Sequence, residues 1–227
     1  MCMVFYHAMF TMGFMFGFKA AQEMFMFFSF ISPAFAFAFI MMCGMSSTLS
    51  RSNFRRSIPI LLAAMVVTLV SLFMTPTAPI VFGILHLLGV CVLFYSFTEK
   101  LICKIHPVLG ICLCTFLFTL TYNVQFGYLG FSFFKVTLPD FLYTTNALSF
   151  LGFVKEGTSY SDYFPLLPWF FAFLTGTFTG RIMKGRYPAF MYQQRVPFFT
   201  LLGTNAFVVY VIHQPIIYGV SYILSLI

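Results

Sequence analysis

The stretch MFMFFSFISPAFAFAFIMMCGMS, residues 24–46, carries no charged side chain over 23 consecutive positions. About 20 apolar residues are enough for a helix to cross the roughly 30 Å hydrocarbon layer of a bilayer. Because lipid offers no hydrogen-bond partner to an open backbone, a segment of this kind has to be helical. The stretch therefore predicts a membrane-spanning helix, and similar apolar runs recur along the chain.

The composition of the whole chain leads to the same class of protein. Of its 227 residues, 61% are hydrophobic and 7% are charged, whereas ordinary globular domains carry about 25% charged residues. The net charge of +7 does not indicate a nucleic-acid partner, because the basic residues lie in short gaps between apolar runs. We therefore predict an all-α, polytopic integral membrane helix bundle that is embedded in the lipid bilayer and binds no nucleic acid.

Charged or proline-containing gaps divide the chain into about seven predicted transmembrane helices within a single domain, residues 1–227. The predicted spans are Met1–Phe18, Met24–Ser46, Ile58–Met74, Ile80–Phe97, His106–Tyr122, Tyr163–Ile182 and Phe198–Leu226. We expect the last one to divide into a short interfacial piece and a true span that starts near Ala206. The gaps include a turn at Thr75–Pro79 and a longer polar segment at Asn123–Asp162.

The basic residues are distributed unevenly between the two sides that this layout creates. One side collects Arg51, Arg55, Arg56, Lys100, Lys104, Arg181, Lys184, Arg186 and Arg195. The other side collects Lys19, Lys135 and Lys155. Cytoplasmic loops carry an excess of Lys and Arg, so the first group is predicted to be cytoplasmic. The N-terminus then lies in the cytoplasm, the C-terminus lies outside, and the protein is a multi-pass protein of the cell (inner) membrane.

Three histidines lie inside predicted spans: His7, His86 and His213. An ionisable side chain at membrane depth is costly and marks a functional site by default. A neutral imidazole can also take up or release a proton near pH 7. Each could instead be a satisfied histidine that packs between helices. We expect all three to face the bundle interior, with at least two lining one cavity.

Other polar side chains accompany these histidines. Asp162 precedes the sixth span and is either a carboxylate at a helix start or a partner that orients a histidine. Asn205 and Gln214 add amides to the last span. Arg181 is either an anchor at the membrane surface or a contact to the phosphates of a cytosolic donor. The six cysteines are interpreted as small buried hydrophobic residues, and no metal site is predicted.

Four blocks occur in the order found in a known family: MVFYHAMF (Met3–Phe10), FGILHLLGV (Phe82–Val90), DYFPLLPWFFAFLTGTFTGR (Asp162–Arg181) and LGTNAFVVYVIHQPI (Leu202–Ile216). The chain resembles bacterial membrane proteins grouped with the catalytic domain of heparan-alpha-glucosaminide N-acetyltransferase, in the transmembrane acyltransferase superfamily. The resemblance covers nearly the whole chain. The FGILH, YFPLLPW and HQP blocks are fairly specific in combination.

The resemblance implies a membrane-bound acyltransferase. Acetyl-CoA or another acyl-CoA would donate from the cytoplasmic side, and a carbohydrate acceptor would receive the acyl group on the far side. The VxxH-like setting of VFYHAMF implies that His7 is the catalytic residue, as base or acyl carrier. The remaining candidates are Asp162 and His213 for catalysis, His86, Asn205 and Gln214 for substrate binding, and Arg181 for donor binding.

Relatives usually carry an Asp and an Arg-Gly pair upstream of the catalytic histidine, whereas only six residues precede His7 here. We therefore expect this domain to lack the usual start of the first helix. Two other functions stay open. The same polar residues could line the path of a transporter or flippase for a small polar or acylated metabolite, or the chain could be a non-catalytic membrane partner. The sequence also leaves open the acceptor, the acyl chain and whether the protein forms a homodimer.

The uneven distribution of basic residues predicts the orientation directly. In a cysteine-free background, a cysteine at Ser159 should react with an impermeant thiol reagent from outside the cell. A cysteine at Ser52 should react only from the cytoplasmic side. The opposite labelling pattern would overturn the orientation and the assignment of the donor side.

Overall fold

The computed structural model describes residues 2–74, 79–131, 134–184 and 197–226. The predicted turn at Thr75–Pro79 and the basic stretch Lys184–Arg195 therefore lie mostly outside the described residues, as do Arg186 and Arg195 themselves. The helices are α1 (Cys2–Phe10), α2 (Lys19–Ser47), α3 (Asn53–Met74), α4 (Ile84–Ile102), α5 (Pro107–Thr121), α6 (Leu166–Met183), α7 (Pro197–Thr204) and α8 (Ala206–Ser225).

Five helical segments of the described chain are long and apolar enough to cross a membrane. They lie in α2, α3, α4, α5 with its extension to Phe126, and α8. The apolar segment Cys2–Met15 is shorter, and α6 is not one of the five. The predicted all-α, multi-pass class is thereby confirmed, while the number of seven spans stays a prediction. The last predicted span divides as expected, since α8 begins at Ala206.

The chain divides into two compact units, one formed by Met1–Ala38 with Tyr187–Ile227 and the other by Phe39–Arg186. In the first unit α1 packs against α8. A π-helical turn at Thr11–Met15 follows α1 directly, and Gln22 donates a hydrogen bond of 2.7 Å to the Gly13 carbonyl within it. Single π turns of this kind are rare and occur often at functional sites.

In the second unit, small residues let helix backbones touch. A Cβ atom on Gly176 of α6 would lie 2.0 Å from the Met41 carbonyl oxygen of α2. A Cβ on Gly44 of α2 would lie 2.1 Å from the Phe173 carbonyl oxygen. Any larger residue is therefore excluded at both positions. Close approach at glycines spaced like Gly176 and Gly180 is a common basis of helix association in membranes.

The polar segment between α5 and α6 forms short 3₁₀-helices and one hairpin. The 3₁₀-helices are Val124–Phe126, Asp140–Tyr143 and Asn146–Leu151. The hairpin consists of β1 (Tyr128–Phe131) and β2 (Phe134–Thr137), which pair antiparallel. Two backbone carbonyls of the segment accept hydrogen bonds from tyrosine hydroxyls: that of Val124 from Tyr143 and that of Ser149 from Tyr163. The segment is thus an ordered layer at the end of α5.

Candidate functional site

His86 lies in the first turn of α4 and has a hydrogen-bond partner on each ring nitrogen. Thr68 of α3 donates its hydroxyl proton to the Ile80 carbonyl at 2.7 Å, so its oxygen accepts from His86 Nε2 at 3.1 Å. The Gly83 amide donates to His86 Nδ1 at 3.3 Å, satisfying an amide that a helix start leaves without an intrahelical partner. These partners require the neutral tautomer with the proton on Nε2.

Asp162 lies at the same end of α4. Its Oδ2 accepts from the Ile84 amide at 3.4 Å, and the following segment is tied to α4 by a hydrogen bond from the Phe164 amide to the Phe82 carbonyl. The residue has a φ of +48°, a left-handed conformation that Asp tolerates better than most residues. The carboxylate therefore stabilises the positive end of the α4 dipole, although it precedes α6 in sequence.

Arg181, near the end of α6, caps the opposite end of α4. Its Nη1 donates to the carbonyls of Ile102 and Ile105, both at 3.1 Å, and its Nη2 donates to the carbonyl of Cys103 at 2.9 Å. A cation is favourable at a helix C-terminus, where carbonyls lack intrahelical donors. These bonds occupy three of the five guanidinium protons, and no described residue accepts from the Nε proton or the second Nη2 proton.

His213 has a different environment in α8. Its Nδ1 donates to the Tyr210 carbonyl, one turn earlier, at 2.5 Å. Pro215 lies two residues further on within the helix, and a proline removes a helical hydrogen bond from the preceding turn. Because a carbonyl oxygen only accepts, Nδ1 carries the proton, and in the neutral ring Nε2 holds a lone pair. That Nε2 atom is buried without a hydrogen-bond partner among the described residues.

His7 of α1 lies beside His213. The two ring centroids are 5.3 Å apart, at an interplanar angle of 50°, and the Tyr6 ring lies 5.7 Å from the His7 ring. His7 makes no hydrogen bond to any residue that the structure describes. Thr11, one turn further along at the start of the π-helical turn, is 2% exposed. The first unit thus holds two adjacent imidazoles, one of them with a fixed proton position.

The two candidate amides near this pair are placed differently. Asn205 precedes α8 and is exposed; its Nδ2 donates to the Leu201 carbonyl at 2.9 Å, closing the turn between α7 and α8. Gln214 follows His213 and is exposed. Successive helical residues point about 100° apart, so His213 and Gln214 present different sides of α8. Neither amide bonds to the histidine pair within the described residues.

The structure therefore separates the predicted site residues into two groups. His7 and His213 meet in the first unit, and Nε2 of His213 is the one buried ring nitrogen without a hydrogen-bond partner in the described part of the chain. His86, Asp162 and Arg181 belong to the second unit, where each forms a hydrogen bond at one end of α4 and His86 also bonds Thr68 of α3. No group of three His, Cys, Asp or Glu side chains in the described ranges is arranged to hold a metal ion.

Two important partners escaped the sequence analysis. Thr68 determines the tautomer of His86, and the Tyr210 carbonyl determines that of His213. Thr68 is one of many hydroxyl residues in an apolar helix, and a backbone carbonyl leaves no trace in the sequence. The proline after His213 is no signal for it either, because Pro215 removes the donor to the Val211 carbonyl and not to that of Tyr210.

Apolar helices long enough to span a bilayer define a polytopic membrane protein, and its α1 and α8 bring two imidazoles together. The family model described as "Heparan-alpha-glucosaminide N-acetyltransferase, catalytic" matches residues 1–215. The chain belongs to this family, as the sequence blocks predicted, and is therefore a membrane acyltransferase by family. No curated protein and no solved structure gives a significant match.

The hydrogen bonds of His86 lead to a stability prediction. Thr68→Val removes the acceptor for His86 Nε2 and the donor to Ile80, leaving buried polar groups without partners. Such a loss typically costs about 1–3 kcal/mol, so thermal unfolding in detergent should occur at a lower temperature. Thr119→Val is the matched control, because Thr119 is exposed and bonds only carbonyls of its own helix. Equal unfolding temperatures for both variants would contradict this role of Thr68.

Proposed function

We propose that this protein transfers an acyl group, acetyl in the first instance, from cytosolic acyl-CoA to an extracytoplasmic carbohydrate. The single observation that carries the proposal is the His7–His213 pair, in which a buried Nε2 lone pair has no partner among the described residues. Family membership supplies the reaction class. The donor, the acceptor and the residue roles given below are parts of the proposal.

The pair provides what acyl transfer requires. A hydroxyl or amine of the acceptor attacks the thioester carbonyl, its proton passes to an imidazole nitrogen, and the carbon–sulfur bond breaks. The CoA thiolate then takes up that proton, which returns the imidazole to its neutral form. We assign the proton-accepting role to Nε2 of His213, with His7 either acting as a second base or carrying the acyl group between donor and acceptor.

The environment of His213 favours this role over a structural one. A buried acceptor without a partner costs about 1–3 kcal/mol, and native proteins keep few of them. The hydrogen bond to the Tyr210 carbonyl fixes the ring and keeps the lone pair on Nε2. A substrate hydroxyl or amine that donates to Nε2 would satisfy it, so part of the binding free energy would arise at the reacting atom.

For the donor, we propose that Arg181 contacts a CoA phosphate through the guanidinium protons that do not bond to the carbonyls at the end of α4. The Nε–H and one Nη2–H form one edge of the guanidinium, a geometry suited to two phosphate oxygens. Arg181 would then both cap α4 and bind the donor. For the acceptor, the exposed amides of Asn205 and Gln214 are proposed to bind sugar hydroxyls, while Asp162 and His86 hold the start of α4 in place.

The catalytic assignment predicts separable effects of two substitutions. Purified protein in nanodiscs would be assayed for acetyl-CoA consumption with a panel of amino sugars and glycans. His7→Ala should lower kcat by about 10²–10⁴-fold, the usual contribution of a general base. His213→Asn should lower it by a similar factor, since the amide can still donate to Tyr210 but offers no lone pair in the place of Nε2. His106→Ala, at the exposed start of α5, is the matched control.

The outcomes distinguish the candidate functions. Full turnover by His213→Asn would overturn its role as proton acceptor, and full turnover by His7→Ala would overturn the role of His7. If the wild-type protein consumed no acetyl-CoA but allowed solute flux across vesicles, a transporter would replace the acyltransferase.

A further inference from the structure

The hairpin between α5 and α6 is amphipathic. In the observed register Leu129 pairs with Val136 and Phe131 pairs with Phe134. Side chains on a strand alternate between its two faces, so these four residues share one face, which is wholly apolar. The opposite face carries Gly130, Lys135, Tyr128 and Thr137, and the Lys135 ammonium lies 4.9 Å from the centroid of the Tyr128 ring.

Three of the four residues on the apolar face of the hairpin are exposed, and Leu129 is half-buried. Phe134 is 61% exposed, Phe131 is 50% exposed and Val136 is 46% exposed. Leaving such surface in water costs about 25 cal/mol for each Å². An isolated two-stranded hairpin is also only marginally stable in water. The hairpin therefore requires something apolar to cover this face.

The position of the hairpin relative to the membrane indicates what covers its apolar face. The spanning segment that contains α5 ends at Phe126, and β1 begins only two residues later, at Tyr128. Strands of four residues extend about 13 Å, whereas the interfacial region on each side of the hydrocarbon is about 5–8 Å thick. The hairpin consequently begins at the membrane surface and cannot reach far beyond it.

Exposed apolar side chains occur on α5, at the end of the span and on the hairpin. Phe116 on α5, Phe126 at the end of the span and Phe131 on β1 are all exposed. A groove of about 370 Å³ lies where α5 meets the hairpin, lined by Phe118, Thr119, Tyr122, Asn123 and Phe131. Two of the lining residues, Thr119 on α5 and Tyr122 directly after it, are exposed, and three of the five are aromatic, which suits a lipid acyl chain.

We propose that the hairpin is a membrane-interface anchor. Its apolar face, Leu129, Phe131, Phe134 and Val136, docks onto the bilayer in which α5 is embedded, and the groove accepts an acyl chain of a membrane phospholipid. Tyr128 and Lys135 face the headgroups from the other side of the hairpin. Aromatic rings concentrate at this depth in membrane proteins, and a lysine there extends its ammonium towards the phosphates.

The anchor can be tested by tryptophan fluorescence, because Trp169 is the only tryptophan of the chain. In a Trp169→Phe background, Phe134→Trp would report on the apolar face. Thr137→Trp, on the opposite face of the same strand, is the matched control. Both would be measured in nanodiscs that contain phosphatidylcholine brominated in its acyl chains, and separately with iodide in the aqueous phase.

The proposal expects Phe134→Trp to emit at shorter wavelength than Thr137→Trp, to lose most of its fluorescence to the brominated lipid and to resist iodide. Quenching by iodide but not by the lipid would overturn it, since the face would then be in water. Protection from both quenchers would also overturn it and would indicate a covering protein, such as a second copy of this chain.

A second measurement uses the unmodified chain in case Trp169→Phe does not fold. A phospholipid with a diazirine in its acyl chain would be photolysed in nanodiscs, and the labelled residues would be found by mass spectrometry. Labels on Phe131 or Phe134 with none on Thr137 are expected. Labelled helices with an unlabelled hairpin would overturn the anchor.

Discussion

In an apolar molecule, the polar groups at both ends of a helix need partners, and α4 shows how this chain supplies them. Asp162 and His86 accept from the amides of Ile84 and Gly83, and Arg181 donates to carbonyls at the other end. Because each missing partner costs far more in lipid than in water, the few polar side chains have little freedom. Asp162 thereby joins the loop before α6 to α4, and Arg181 joins the end of α6 to it. The hydrogen bond between Thr68 and His86 joins α3 to α4 as well.

The need of buried polar groups for hydrogen-bond partners distinguishes His213 from His86. His86 and His213 are both 8% exposed and are the same residue type, but they carry their protons on opposite ring nitrogens. In His86 both ring nitrogens have hydrogen-bond partners within the fold. In His213 one nitrogen is fixed by the Tyr210 carbonyl and the other has no partner in the described part of the chain. The His7 ring centroid lies 5.3 Å from that of His213, so the unpartnered nitrogen belongs to a ring that has a second imidazole beside it.

The sequence predicts a good part of this structure. Length and apolarity place α2, α3, α4, α5 and α8, because a spanning helix is set by local composition. The last span divides at Ala206 as expected. The partner of Asp162 could not be predicted, because the carboxylate stabilises α4, which lies far away in sequence. The two histidine tautomers depend on a hydroxyl from α3 and on a backbone carbonyl, neither of which a residue pattern reveals. That His7 and His213 lie side by side is likewise visible only in the structure.

The two buried histidines, His86 and His213, hold opposite tautomers, and of the two only His213 has a ring nitrogen without a partner among the described residues. Nitrogen-15 NMR of histidine-labelled protein in nanodiscs distinguishes the tautomers, with each ring assigned by comparison with its Asn variant. His86 should show a protonated Nε2 and a bare Nδ1, and His213 should show a protonated Nδ1 and a bare Nε2. A proton on Nε2 of His213, in either the neutral or the cationic ring, would contradict this assignment.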